Sequence, residues 1–274
     1  MKLNFIMLSA LIALTACSSS STGRKQVMLF SESELDQMGA SSFEEMKKTT
    51  PISVDKATND FVQCVASAIT KNVDKSVHQG DWEVVVFDSA QVNAFALPGG
   101  KIGVYTGILN VTENEDQLGA IIGHEVGHVI EHHSNERMSA SKLQNMGMSA
   151  ATTVAGLANV DNQELWMAGL GLGLQYGVIM PYGRSHESEA DIVGQDLMAR
   201  SGFEPQASIK LWQNMAALSA SSGQSAPAEF MSTHPSNETR ISQLQEHLVV
   251  SMKYYNAKNS PGCVKPAYIP PPTK

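Results

Sequence analysis

Lysine and arginine are scarce in this sequence: 19 of them stand against 27 acidic residues among 274, a formal net charge of −8. They never gather into a basic cluster. That excludes a nucleic-acid partner, because phosphate binding is built on concentrated positive charge. Long apolar runs are missing too. Residues 3–14 are mostly apolar but about half as long as a bilayer-spanning helix needs. Residues 165–182 come nearer to that length, yet Gln175 and Pro181 fall within them. Their glycines (Gly169, Gly171, Gly173, Gly177) suit a closely packed helix better than a membrane span. No internal repeat is visible. What is left, 42% hydrophobic and 17% charged, is the composition of a globular chain with a sizeable core. The 14 methionines sit mostly in apolar helical stretches and read as core packing.

Cysteine is nearly absent as well, with Cys17, Cys64 and Cys263 the full set. Lys2 and the apolar stretch behind it resemble an export signal. Leu14-Thr15-Ala16-Cys17 matches the lipobox of bacterial lipoproteins, in which the cysteine at the cut becomes acylated. Residues 1–16 are thus expected to be a signal peptide and residues 17–30 a lipid-anchored tether, its Ser18–Ser21 run flexible. Ser18, where an aspartate would signal retention elsewhere, resembles proteins sorted to the outer membrane and facing the periplasm. An exported chain meets an oxidising compartment, so Cys64 and Cys263 are expected to pair. That bond would pin a Pro-rich tail, residues 251–274, to an early helix.

Residues 31–48 and 53–73 read as amphipathic helices separated by Pro51. WEVVVF at 82–87 is a β-branched and aromatic run, hence a strand. Residues 93–97 and 101–105 suggest two more around the turn Pro98-Gly99-Gly100. Almost everything after Thr112 has a helical pattern. The fold class is α+β, mainly helical with a small early sheet, over residues 31–250. Thr112-Glu113-Asn114-Glu115 has capping-box spacing and opens a long helix. Its broad apolar face (Leu118, Ile121, Ile122, Val126, Val129, Ile130) predicts burial over much of its circumference.

That helix carries His124-Glu125-Val126-Gly127-His128, which fits H-E-x-x-H. Four residues make about one turn, so both imidazoles leave one face and can reach one ion. Zinc suits them, and no cysteine stands by to make a closed structural site. Glu125 leaves the helix about 100° round, where a general base for water belongs. Gly127 costs helix propensity and implies a need for space beside the site. A catalytic zinc needs a third protein ligand. Glu131 and Ser134 stand where the metzincin pattern requires glycine and histidine, so that subclass is excluded. Glu187-Ser188-Glu189-Ala190-Asp191 offers Glu187 as the ligand, with Asp191 one turn on to fix an imidazole tautomer. Glu189 is the rival for Glu187. His132 and His133 continue the first helix; His132 reads as a helix-face residue, with an approach to the site's rim, one further turn along, as the alternative.

GHEVGH at 123–128, HESEAD at 186–191 and NAFALPGGKIGVYTGIL at 93–109 resemble the HtpX/BepA/LoiP-type gluzincin peptidases. The likeness runs from about residue 31 to 248 and is nearest the small lipoprotein branch without transmembrane helices. It implies a zincin-like metallopeptidase domain holding one Zn2+ through His124, His128 and Glu187. Glu125 would be the base and Asp191 its supporting carboxylate partner on a ligand histidine. Residues 93–105 resemble the family's substrate-pairing strand. His234-Pro235 and Arg240 resemble a further motif, a histidine at the metal's open position and an arginine near it. A turn leading into a helix, capped by Ser236 with Arg240 solvated, is the other reading of that segment. The implied function is an envelope endopeptidase acting on unfolded or misassembled proteins. The alternative is an assembly factor working with outer-membrane assembly machinery, its proteolysis secondary or latent.

Overall fold

The computed structural model describes residues 17–157, 180–221, 233–235 and 238–272. The signal segment 1–16 and most of the Gly-rich stretch 165–182 lie outside them. Two compact units result, one from the described residues of Met1–Glu32 and Glu131–His186, the other from those of Ser33–Ile130 and Glu187–Lys274.

The larger unit begins with α1 (Glu32–Thr49) and α2 (Lys56–Thr70). Asp55 caps α2 by accepting the amide of Thr58 at 2.8 Å. Phe61, Val62, Val65, Ala66 and Ile69 then form its buried stripe. Strands β3 (Glu83–Phe87), β4 (Ala94–Leu97) and β5 (Lys101–Tyr105) form a sheet in the order β3-β5-β4. β3 runs parallel to β5, and β4 pairs antiparallel with it from Ala94 opposite Val104 to Leu97 opposite Lys101. Gly99 and Gly100 both hold left-handed φ, 80° and 69°, which a side chain would resist at this tight reversal. A short helix α3 (Thr106–Leu109) leads to α4 (Glu115–Ile130), buried without a break from Gln117 to His128.

The start of α4 departs from expectation by two residues. Asn114 takes the cap, its Oδ1 accepting the Gln117 amide at 3.0 Å, while Gln117 Oε1 accepts the Glu113 amide at 2.8 Å. Thr112 instead bonds back to the Leu109 carbonyl. Cys64 and Cys263 are joined in a disulfide that spans 199 residues. Loop closure on that scale removes about 5 kcal/mol of entropy from the unfolded chain. The tail it holds lies along the start of α4. Glu115 accepts the Ser260 hydroxyl and the Cys263 amide, and Lys265 donates to the Thr112 carbonyl.

The smaller unit corrects two expectations. The serine-rich stretch read as a flexible tether is a hairpin, β1 (Cys17–Ser19) pairing with β2 (Lys25–Val27). Arg24 forks onto Glu136 at 2.8 and 2.5 Å, and Gln26 donates to the Glu131 carbonyl at 2.6 Å. Burial opposes the Glu136 charge, but hydrogen bonds from Arg24, His186 and Gln26 outweigh it and hold its pKa at about 2.

The helix carrying the histidine motif also ends sooner than its pattern suggests. It stops at Ile130, His132 turns left-handed (φ 54°), and α5 (His133–Leu157) starts afresh. Gln26 occupies the carbonyl of Glu131 that a continuing helix would offer to the amide four residues on. Helices α6 (Met180–Arg200), α7 (Gln206–Ser221) and α8 (Glu238–Ser251) complete the chain. No described helix is long and apolar enough to cross a membrane.

Candidate metal centre

Helices α4 and α6 touch backbone to backbone. A Cβ on Gly127 would stand 2.9 Å from the Ala190 carbonyl oxygen, and one on Gly194 would stand 2.7 Å from the His124 amide. The space Gly127 provides is therefore occupied by α6 itself. This crossing, tighter than side chains permit, carries Glu187 and Asp191 of α6 to His124 and His128 of α4.

Four side chains converge there: His124, His128, Glu187 and His234 present ligand atoms within 4.8 Å of one another. His124 Nε2 lies 3.1 Å from both His128 Nε2 and His234 Nδ1. Glu187 stands 3.3 Å from His124 Nε2, 3.4 Å from His128 Nε2 and 2.9 Å from His234 Nδ1. A tetrahedron with zinc-ligand arms has edges of about 3.3–3.6 Å, close to this spacing. Glu125 carries no ligand atom in the group, and its Oε1 is 3.4 Å from His234 Nε2. Glu189 is buried but stands outside the four, and so does His132.

Around these groups lies a charged frame. His124 Nδ1 faces Asp191 Oδ1 at 3.0 Å, a pairing that turns Nε2 toward the centre. Arg240 forks onto the same Asp191 at 2.6 and 2.7 Å, donates to the Pro235 carbonyl at 3.0 Å and approaches Glu187 to 3.3 Å. It is only 2% exposed, which overturns the solvated reading of its segment; Ser236 lies outside the described residues. The Arg240 guanidinium stacks 4.1 Å over Trp212 of α7, whose ring also meets the edge of His124. Trp212 was not legible as a site residue, since a single tryptophan on an apolar helix face carries no motif.

The electrostatics fit a dication. Glu125, Glu187 and Asp191 are buried carboxylates facing one buried guanidinium, Arg240, which leaves two negative charges to balance. Burial opposes both acids' charges, yet Glu187 is held well below the usual carboxylate range by His124 and His234, and Asp191 by Arg240 and His124. Burial likewise opposes a proton on His124, but Asp191 and Glu187 outweigh it and push its pKa up to about 9.

Comparison with known proteins points the same way. The family description "Peptidase family M48" matches residues 56–248. The mitochondrial metalloendopeptidase OMA1 of Saccharomyces cerevisiae is 32% identical over 75% of this chain and 58% of its own length. The human metalloendopeptidase OMA1 is 30% identical over 89% of this chain and 46% of its own. The beta-barrel assembly-enhancing protease of Yersinia pestis is 27% identical over 80% of this chain and 46% of its own. The chain thus spans about half the length of the curated relatives it matches.

The raised pKa of His124 has a direct consequence for the metal-free protein. The folded site binds a proton more tightly than a free imidazole near 6.5 does. The stability this gives is complete below about pH 6.5 and is lost as pH rises through about 9. Chelator-treated protein should therefore melt at steadily lower temperature across that window in scanning calorimetry. A melting temperature flat from pH 6.5 to 9 would contradict the assignment.

Proposed function

Because this chain belongs to peptidase family M48, we propose that it is a zinc metalloendopeptidase. The observation that carries this reading is the convergence of His124, His128 and Glu187 beside the buried carboxylate of Glu125. A zinc ion held by those three would polarise a scissile carbonyl and make water acidic enough to lose a proton near neutral pH. The remaining work belongs to the protein. Glu125 takes the proton of the attacking water and returns it to the leaving amine. Asp191 holds His124 in the tautomer that presents Nε2, and Arg240 holds Asp191. β4 lies at an edge of its sheet, where an extended peptide can add as a further strand through main-chain hydrogen bonds.

Glu125→Gln should keep zinc bound and lose at least about a hundredfold in cleavage of an unfolded protein such as casein, as expected for loss of general-base catalysis. Turnover retained in that variant would exclude Glu125 as the base.

His234 adds a second element to the reading. Its Nδ1 fills the fourth corner of the donor set, and its Nε2 approaches the base. A catalytic zinc keeps that corner open for water or substrate. In this arrangement the site is latent, and His234 must withdraw before cleavage. His234→Ala should raise the basal casein-cleavage rate several-fold, and an equal or lower rate would show that His234 does not block the site.

Placement in the bacterial envelope rests on the lipobox at Cys17, because the relatives include mitochondrial enzymes as well as the beta-barrel assembly-enhancing proteases. On this reading the substrates are unfolded or misassembled envelope proteins, outer-membrane assembly machinery is the candidate partner, and an acyl chain on Cys17 holds the enzyme at the outer membrane. Cys17→Ser should move the protein from the membrane fraction to the soluble one. A membrane fraction indifferent to the substitution would refute the anchor.

A further inference from the structure

Trp212 stands on the buried stripe of α7 with Ile209, Leu211 and Met215, where a large apolar side chain is expected to fill the core and do nothing more. Its contacts are of another kind. The Arg240 guanidinium lies 4.1 Å over the centre of the indole. The ring of His124 meets the same indole at 5.5 Å, with the two planes 73° apart. Trp212, His124, Asp191 and Arg240 are each at most 3% exposed, and all four belong to the larger unit. His124 and Arg240 are the two groups that bracket Asp191, one at Oδ1 and the other across both oxygens. One indole is therefore the shared wall of both.

Each contact supplies what the hydrogen bonds cannot. A guanidinium donates only in its own plane. Arg240 spends that plane on Asp191 and on the Pro235 carbonyl, so its faces are buried without a hydrogen bond to offset the loss of water. A flat, electron-rich indole is the side chain best suited to cover such a face. His124 is held by Asp191 at Nδ1 alone, and a hold at one ring atom lets an imidazole swing about it. Packed against Trp212, the ring cannot swing that way without driving into the indole. We infer that Trp212 is a positioning residue for the metal centre. It sets the plane of His124 by direct contact and braces Arg240, and through it Asp191, from the face. This rests on the zinc reading of the site above and adds a residue to it.

The test is zinc affinity of the full chain, measured by competition with a chromophoric chelator, together with the rise in melting temperature that zinc produces. Trp212→Leu keeps an apolar side chain but loses the ring face. It should weaken zinc binding by roughly tenfold, the low end of losses seen when a ligand's supporting partner is removed. It should shrink the zinc-induced rise in melting temperature accordingly, and lower kcat with KM for a peptide little changed. Trp212→Phe, which keeps a ring face in the same place, should recover most of each. If Trp212→Leu lowers the melting temperature equally with and without zinc, and zinc affinity stays at the wild-type value, Trp212 only fills the core and the inference is overturned. A Trp212→Phe protein as impaired in zinc binding as Trp212→Leu overturns it too, since lost volume and not the lost ring face would then be the cause. Should Trp212→Leu not fold, Trp212→Met decides by the same comparison, unchanged zinc affinity overturning the inference. Wild-type protein that takes up no zinc overturns the site reading and this inference together; normal wild-type binding with unaffected variants overturns this inference alone.

Discussion

Two helices that approach closely enough for a carbonyl to stand where a Cβ would be are the constraint from which the site follows. Gly123 and Gly127 on α4 face Ala190 and Gly194 on α6, and each missing side chain is replaced by backbone of the other helix. Glycine inside a helix sacrifices about 1 kcal/mol of propensity relative to alanine, and α4 accepts that more than once. The return is geometric. Only at this separation do side chains as short as glutamate and aspartate span from α6 to the imidazoles of α4, at 3.0–3.4 Å. A wider crossing would leave Glu187 and Asp191 buried without the partners that make their burial tolerable.

Charge then dictates how the cluster is completed. Asp191 is shared between His124 and Arg240, so one carboxylate both sets an imidazole tautomer and is neutralised from behind. Arg240 is spent on that duty and on the edge of Glu187. The charge left on Glu187 and Glu125 has no second buried arginine to answer it among the described residues. A proton on His124 answers part of it in the metal-free protein, and a divalent ion answers all of it. Metal and proton thus compete for the same imidazole, which is why such sites load metal better as pH rises.

How much of this was legible in the sequence depends on how local each feature is. His124, Glu125 and His128 share one turn, so their spacing alone places them; Glu187 and Asp191 likewise. The convergence of the two helices is non-local, yet its trace was present in Gly127, whose meaning is clear only with Ala190 beside it. Capping slid from Thr112 to Asn114 because both residues can cap and only packing selects between them. The end of α4 was unreadable from its own residues, since the interruption comes from Gln26, 105 positions away. The hairpin was hidden most completely. Ser18–Ser21, Thr22 and Gly23 have the composition of a linker, and nothing local reveals that Arg24 and Gln26 have buried acceptors waiting.

The segments that composition marks as expendable hold the most demanding helix. An isolated helix of 16 residues is marginal in water, and α4 must hold its histidines to a fraction of an ångström, since a displacement of about 1 Å in a catalytic group costs roughly a hundredfold in rate. Its first turn is fastened through Glu115 and Thr112 to a tail that the Cys64–Cys263 bond locks in place. The residue after its last turn, Glu131, is fastened through its carbonyl to Gln26 and through its carboxylate to Ser21. Both restraints lie outside the glycine crossing, so they fix where α4 begins and ends while the crossing fixes how near α6 can come. Precision at the metal centre therefore draws on restraints at the ends of α4 as well as on the crossing itself.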